Sequence, residues 1–170
     1  GAGYTHVRPS QFRNNVERAV EALLALQNED GSFFDERSGR NNHRFYTHAQ
    51  ATIAICELYA MTGDEALLEP ARAAVAYCVE NQDPARGGWR YIPQQDSDTS
   101  VTGWVVMALQ SARMAGLGVP SETFDRVRSY LDGVSEDDGS RYAYHAGAAT
   151  YAPMTAEALL CRAYLGWTTH

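Results

Sequence analysis

Two carboxylates one residue apart, Asp96 and Asp98, stand in the stretch Gln94-Gln95-Asp96-Ser97-Asp98-Thr99-Ser100-Val101-Thr102-Gly103-Trp104. Close-set carboxylates suit general acid and base chemistry, because each raises the proton affinity of the other and a neighbouring cation lowers it. The same residues have a structural use. An Asp placed just before Thr99-Ser100-Val101, where a helical pattern starts, accepts an orphan backbone N–H as an N-cap and stabilises the helix by about 1 kcal/mol. Asp98 stands between the two roles, acid or cap, and Asp96 is either its partner or a solvated loop charge.

Other reactive side chains are spaced unhelpfully. The five histidines (His6, His43, His48, His145, His170) and the cysteines Cys56, Cys78 and Cys161 include no Cys-x-x-Cys and no His-x-x-x-His, so no metal site and no cofactor are expected. Three cysteines, each inside an apolar helical pattern, read as small buried hydrophobes and not as a disulfide framework. With 14 basic and 21 acidic residues and a net charge of −7, the chain has no basic stripe to track phosphates, which excludes nucleic acid as an expected partner. No apolar run approaches the 18 or so residues of a membrane span. The chain opens Gly1-Ala2-Gly3 without Met, so a targeting segment or another domain can precede it, and its compartment stays open.

Six helical patterns must position these residues. Residues 14–27, 67–82 and 121–134 are amphipathic, with apolar residues on one face and charged residues on the other. Residues 47–61, 98–114 and 154–167 are apolar or small nearly all round, the pattern of a helix buried on several sides. The two kinds alternate. Turns with Gly and aromatic residues follow each amphipathic helix, centred on Gly31, Gly88 and Gly139, and the buried helices align on His48, Ser100 and Thr155. A period of fifty-odd residues marks a helical repeat, here about three pairs of outer amphipathic and inner buried helices over residues 14–170, after an N-terminal extension of residues 1–13. Short stretches near Phe33 and Trp89 are the candidates for strand pairing.

The turns Gln27-Asn28-Glu29-Asp30-Gly31-Ser32-Phe33 and Gln82-Asp83-Pro84-Ala85-Arg86-Gly87-Gly88-Trp89 resemble the Gln-Trp motif of triterpene cyclases, and the units are similar to the prenyltransferase and squalene-oxidase repeat of the terpenoid cyclase-like families. The resemblance covers nearly the whole chain from about Asn14 to Trp167. It implies an all-α fold, an α/α toroid with inner helices around a central cavity. Relatives close the ring with roughly six helix pairs, so three pairs imply a partial toroid, completed by a further part of the same chain or by a second copy, or working as an open concave surface. It also implies an elongated apolar, polyprenyl-like ligand.

In such cyclases Asp-x-Asp-Asp-Thr supplies the proton. Asp96-Ser97-Asp98-Thr99 resembles that motif with one Asp missing. In one register Asp98 takes the donor position. In the other, Asp98-Thr99 matches the final Asp-Thr and Ser97 stands where the donor would be. Neither the ligands of zinc-dependent prenyl transfer nor the Cys-Gly-Glu-Gln thioester of complement-type toroids is present.

Polar residues in the first turns of the inner helices, His48, Ser100 and Thr155, then Gln50, Thr102 and Glu157, gather on one rim. With Trp89, Tyr91, Trp104, Tyr142, Tyr144 and Tyr151 they compose a mixed aromatic and polar cleft, or else cap helices and pack repeats together. A buried Glu157 calls for a partner, and Arg141 and Arg162 are the candidates. Two functions follow: a toroid that binds or transforms an apolar substrate, and a non-catalytic module that recognises another protein or a second copy.

Overall fold

A computed structural model describes residues 3–34 and 43–166. Among them, six helices follow in chain order: α1 (Arg13–Leu24), α2 (Arg44–Thr62), α3 (Leu68–Glu80), α4 (Thr99–Met114), α5 (Ser121–Gly133) and α6 (Ala152–Tyr164). The all-helical expectation holds as a class, and each helix lies within three residues of the span its periodicity suggested. No described helix is long and apolar enough to cross a membrane.

α4 packs between α2 and α6, and α3 lies across α2 and α4. The inner pattern corresponds to burial on several sides in α2 and α4, but not in α6, which buries only Met154, Ala158, Cys161 and Arg162 and leaves Leu159 and Leu160 exposed, because no further helix among the described residues covers that side. α4 buries positions all round its circumference, among them Val101, Val105, Val106, Ala108 and Leu109, whereas α1 buries only Val20. A fully buried Val or Leu contributes about 1.5–3 kcal/mol, so α4 makes the largest apolar contribution of any one helix, and the outer helices α3 and α5 add Val75, Tyr77, Phe124, Val127 and Leu131 to the same core. The three cysteines are buried free thiols, Cys56 on α2, Cys78 on α3 and Cys161 on α6, and burial pushes those of Cys56 and Cys161 up to about 12, which leaves them unreactive. The segment before α1 is tied down as well: His6 Nε2 lies 2.7 Å from the Asp64 carboxylate, and Arg13 Nε donates to His6 O at 2.9 Å.

Two recurring sets of contacts fix the repeat. At the end of α1, Gln27 Nε2 donates to Gly31 O (3.1 Å) and to Pro70 O in the first turn of α3 (2.9 Å). At the end of α3, Gln82 Nε2 donates to Gly87 O (2.8 Å) and to Thr123 O in the first turn of α5 (2.9 Å). Gly31 and Gly87 have φ of +83° and +87°, and a Cβ on either would lie 2.5 or 2.4 Å from the carbonyl oxygen of Ala73 or Arg126 in the next outer helix. Both backbone conformation and space demand glycine there. The equivalent of Gly31 is therefore Gly87, not Gly88 as the spacing suggested.

In the second set, the N–H of the aromatic residue after each turn donates to a side chain of the following inner helix. Phe33 donates to His48 Nδ1 (3.2 Å), Trp89 to Thr102 Oγ1 (3.0 Å) and Tyr142 to Thr155 Oγ1 (3.0 Å). The inner-helix register is thus His48, Thr102 and Thr155. This corrects the alignment of His48 with Ser100 by two residues: two hydroxyl residues stand two positions apart in the first turn of α4, and only the hydrogen bond distinguishes them. Tyr46 then corresponds to Ser100, and Gln50 to Trp104. Pairing of strands is slight. Trp89 bridges Asp98 in the second turn, and β1 (Ser135–Glu136) pairs with β2 (Arg141–Tyr142) in the third, a place the sequence did not single out.

Candidate functional site

Asp98 is the N-cap of α4. Its backbone is extended (φ −133°, ψ 157°), its N–H donates to Trp89 O at 3.0 Å, and its Oδ1 accepts from Val101 N–H at 2.7 Å. The bridge to Trp89 delivers the chain from the aromatic turn into the helix, and the carboxylate then satisfies an orphan donor of the first turn. Its other oxygen, Oδ2, accepts from the Tyr144 hydroxyl at 2.9 Å and lies 3.4 Å from Arg90 Nε. The side chain is wholly inaccessible to solvent. Burial pushes its carboxyl above the ordinary range, against the pull of Val101 N–H, Tyr144 and Arg90.

Asp96 has a different setting. It is half-buried, pairs with Arg86, and accepts from Arg90 Nη1 at 2.5 Å. Burial opposes its charge, but Arg90, the Ser97 N–H and Arg86 outweigh that and hold the carboxyl below its ordinary value. Asp96 is a counter-ion. Ser97, the donor position in the second motif register, is spent inside the turn: its hydroxyl donates to Asp83 Oδ2 and accepts from Gly88 N–H, both at 3.0 Å.

Around Asp98 the inner-helix ends and the loops before them supply hydroxyls and rings. The Tyr144 and Tyr91 hydroxyls are 2.6 Å apart. Tyr144 has one hydroxyl hydrogen and gives it to ionised Asp98, so Tyr91 is then the donor between the two phenols. A protonated Asp98 reverses the chain. From α2, Tyr46 donates to Ser100 Oγ at 2.9 Å. The Arg90 guanidinium lies 5.2 Å from the Tyr91 ring centre and 5.6 Å from that of Tyr144, within cation–π range. Tyr130 closes the inner side, its hydroxyl 3.2 Å from Thr99 Oγ1.

Glu157, on α6, comes against α4 at Gly103. A Cβ on Gly103 would lie 2.4 Å from Glu157 Oε1, so the absent side chain makes room for the carboxyl. Neither expected arginine pairs with it: Arg162 donates to Tyr142 OH (3.1 Å) and Asp132 (2.5 Å), and Arg141 pairs with Glu136 and Asp137. Burial, helped by the charge of Asp98, pushes Glu157 up to about 7. It is thus a carboxyl that titrates near neutrality, and in its protonated form it can donate a hydrogen bond.

The expected site residues divide into two groups. Asp98, Tyr91, Ser100, Tyr144 and Glu157 come together with Asp96 behind them, and Trp104 stands half-buried on the same helix. His48, Trp89, Thr102 and Thr155 do not belong to a cleft. They are consumed by the joints between turn and helix; His48 is enclosed, its Nε2 on Ala74 O at 3.0 Å, and Trp89 Nε1 donates to Cys78 O at 2.8 Å. Gln50 is exposed, at the position of Trp104 in the first inner helix. Tyr46 and Arg90 were not anticipated. Tyr46 carries a signal only once the register is corrected, as the residue equivalent to Ser100; Arg90 carries none.

Comparison of the chain with models of protein families, with curated proteins and with solved structures finds no match. The chemistry rests on the residues themselves. A group that protonates an alkene must be far more acidic than an ordinary carboxylic acid, whereas burial makes Asp98 and Glu157 less acid. The arrangement is fit to hold a ligand by rings, phenols and a carboxyl that titrates near neutrality.

Proposed function

We propose that this chain is a ligand-binding domain of terpenoid cyclase-like helical repeats, an α/α toroid or part of one, which holds an elongated apolar molecule of the isoprenoid class without protonating it. The rim of Tyr46, Tyr91, Trp104 and Tyr144 supplies ring faces, and Glu157 with the phenols addresses a terminal hydroxyl. The observation that carries this reading is the engagement of Asp98: Oδ1 caps α4 and Oδ2 accepts from Tyr144, so the one acid in the motif position is an anchor for the tyrosine pair.

Titration with farnesol, followed by tryptophan fluorescence, tests it. Saturable binding that weakens at least tenfold in Trp104→Ala, with no cyclised product from incubation with a linear polyprene, is the expected result. Conversion of the polyprene that Asp98→Asn abolishes would overturn the non-protonating assignment, and absence of any binding would overturn the ligand. The reading as a recognition module draws on another surface, the apolar face of α6, which the rim does not use.

A further inference from the structure

The corrected register allows each helix of one repeat to be compared with its counterpart in the next. Thr102 corresponds to Thr155, so Gly103 of α4 corresponds to Ala156 of α6 and Val106 to Leu159. On α4 this is the face turned to the following repeat: Gly103 meets Glu157 of α6, and Val106 is 0% exposed. On α6 the same face carries Ala152, Ala156, Leu159, Leu160 and Ala163, and it is open, with Leu159 40% and Leu160 42% exposed. Gly103 and Val106, buried in the middle of the row, thus have exposed counterparts in Ala156 and Leu159, and half-buried Met107 has an exposed one in Leu160.

The first repeat shows the complement. Ala108 of α4 is fully buried, and its counterpart on α2, Ala54, is exposed. Ala54 and Leu58 join Val16, Ala19 and Leu23 of α1 in lining an apolar groove of about 310 Å³. Within the row, α2 is packed by both the next inner helix, α4, and the outer helix α3. A groove made by α1 and α2 offers the same combination of one outer and one inner helix.

From this continuity we infer that the open face of α6 docks into the α1–α2 groove of a second copy of the chain, head to tail. The chain carries both halves of the contact, and each is shaped by the interface that already joins its own repeats. The contact is heterologous, with different patches meeting, so it closes only if the rotation per copy allows a ring. It rests on the repeat register and does not involve the ligand rim.

Sedimentation across a concentration series tests this with the full chain. Association is expected for the natural sequence, and its loss is expected in Leu159→Glu/Leu160→Glu and, separately, in Ala54→Glu. All three positions are exposed, so unchanged helical circular dichroism and urea midpoint should accompany the loss. Mixing the two variants should restore association, since one retains an intact α6 face and the other an intact groove. A natural chain that stays monomeric up to its solubility limit would overturn the inference. So would an Ala54→Glu chain that still associates, which would make the contact one of α6 with α6.

Discussion

The Tyr144 hydroxyl donates to Asp98 Oδ2 at 2.9 Å while the other oxygen of that carboxylate caps α4. One side chain thereby joins a helix start to the loop that precedes the next inner helix, 46 residues away. Removing it strands both donors. Asp98→Ala should cost about 2–3 kcal/mol, combining a lost cap with a half-buried phenol that loses its carboxylate acceptor. Asp98→Asn keeps an oxygen for Val101 N–H and should cost about half as much. Urea denaturation measures both, and equal costs for Ala and Asn would show that the capping oxygen contributes nothing.

Glu157 gives the protein a stability that falls with rising pH. Its folded value, about 7, lies above the ordinary 4.5, so between those values the folded chain keeps a proton that the unfolded chain releases. Stability is therefore lost as pH climbs from 4.5 through 7. Glu157→Gln removes the loss. Allowing for partial solvent screening, the variant should be more stable than the natural chain by about 1–2 kcal/mol at pH 8 and indistinguishable from it at pH 4. Urea midpoints at the two pH values decide the matter.

His48 acts in the opposite direction. Its Nδ1 accepts from Phe33 N–H, which fixes the neutral tautomer with Nε2–H donating to Ala74 O. Burial lowers its value from 6.5 to about 4. As pH falls through that window the unfolded chain takes up a proton that the folded chain refuses, and stability declines by about 3 kcal/mol once pH is below 4. His48→Gln should be less stable than the natural chain at pH 7 and show a shallower decline between pH 6.5 and 4. An identical slope would mean that other groups set the acid limit.

The helices were legible because burial imposes a period on the sequence, and α2 and α4 were legible as a separate kind because they are apolar nearly all round; α6 has the same pattern yet buries one side only, since apolar composition does not say what covers a face. The joints were less so. Ser100 and Thr102 are both capable of receiving the Trp89 N–H, and Gly87 and Gly88 both of making the turn; choosing among them takes the hydrogen bond and the approach to Arg126 O. Arg90 was invisible because its partners, Asp96, Asp98 and two tyrosine rings, are assembled by the fold. Glu157 was noticed, but its setting against Gly103 appears only when α4 and α6 are packed together.

Gly87→Ala should be among the most damaging single changes outside the inner row. The added carbon must adopt a φ of +87° and would lie 2.4 Å from Arg126 O, which belongs to helix backbone and cannot swing aside. A loss of more than about 1 kcal/mol is expected. Gly88→Ala differs in kind, because its neighbours there are the side chains of Thr102 and Ser97. Gln82→Ala removes two buried hydrogen bonds and should cost about 2 kcal/mol. Thermal unfolding of the three variants ranks them, and a neutral Gly87→Ala would refute the close approach.

The hydrogen bonds of Gln82 and the nearest approach of Gly87 to the following outer helix are to main-chain oxygens, Thr123 O and Arg126 O, as those of Gln27 and Gly31 are to Pro70 O and Ala73 O. A joint that recognises backbone places no demand on which side chains its neighbour carries. Outer helices can therefore diverge in sequence while the joints between them persist, and duplication of a whole unit would insert a module whose connections are already compatible with those on either side.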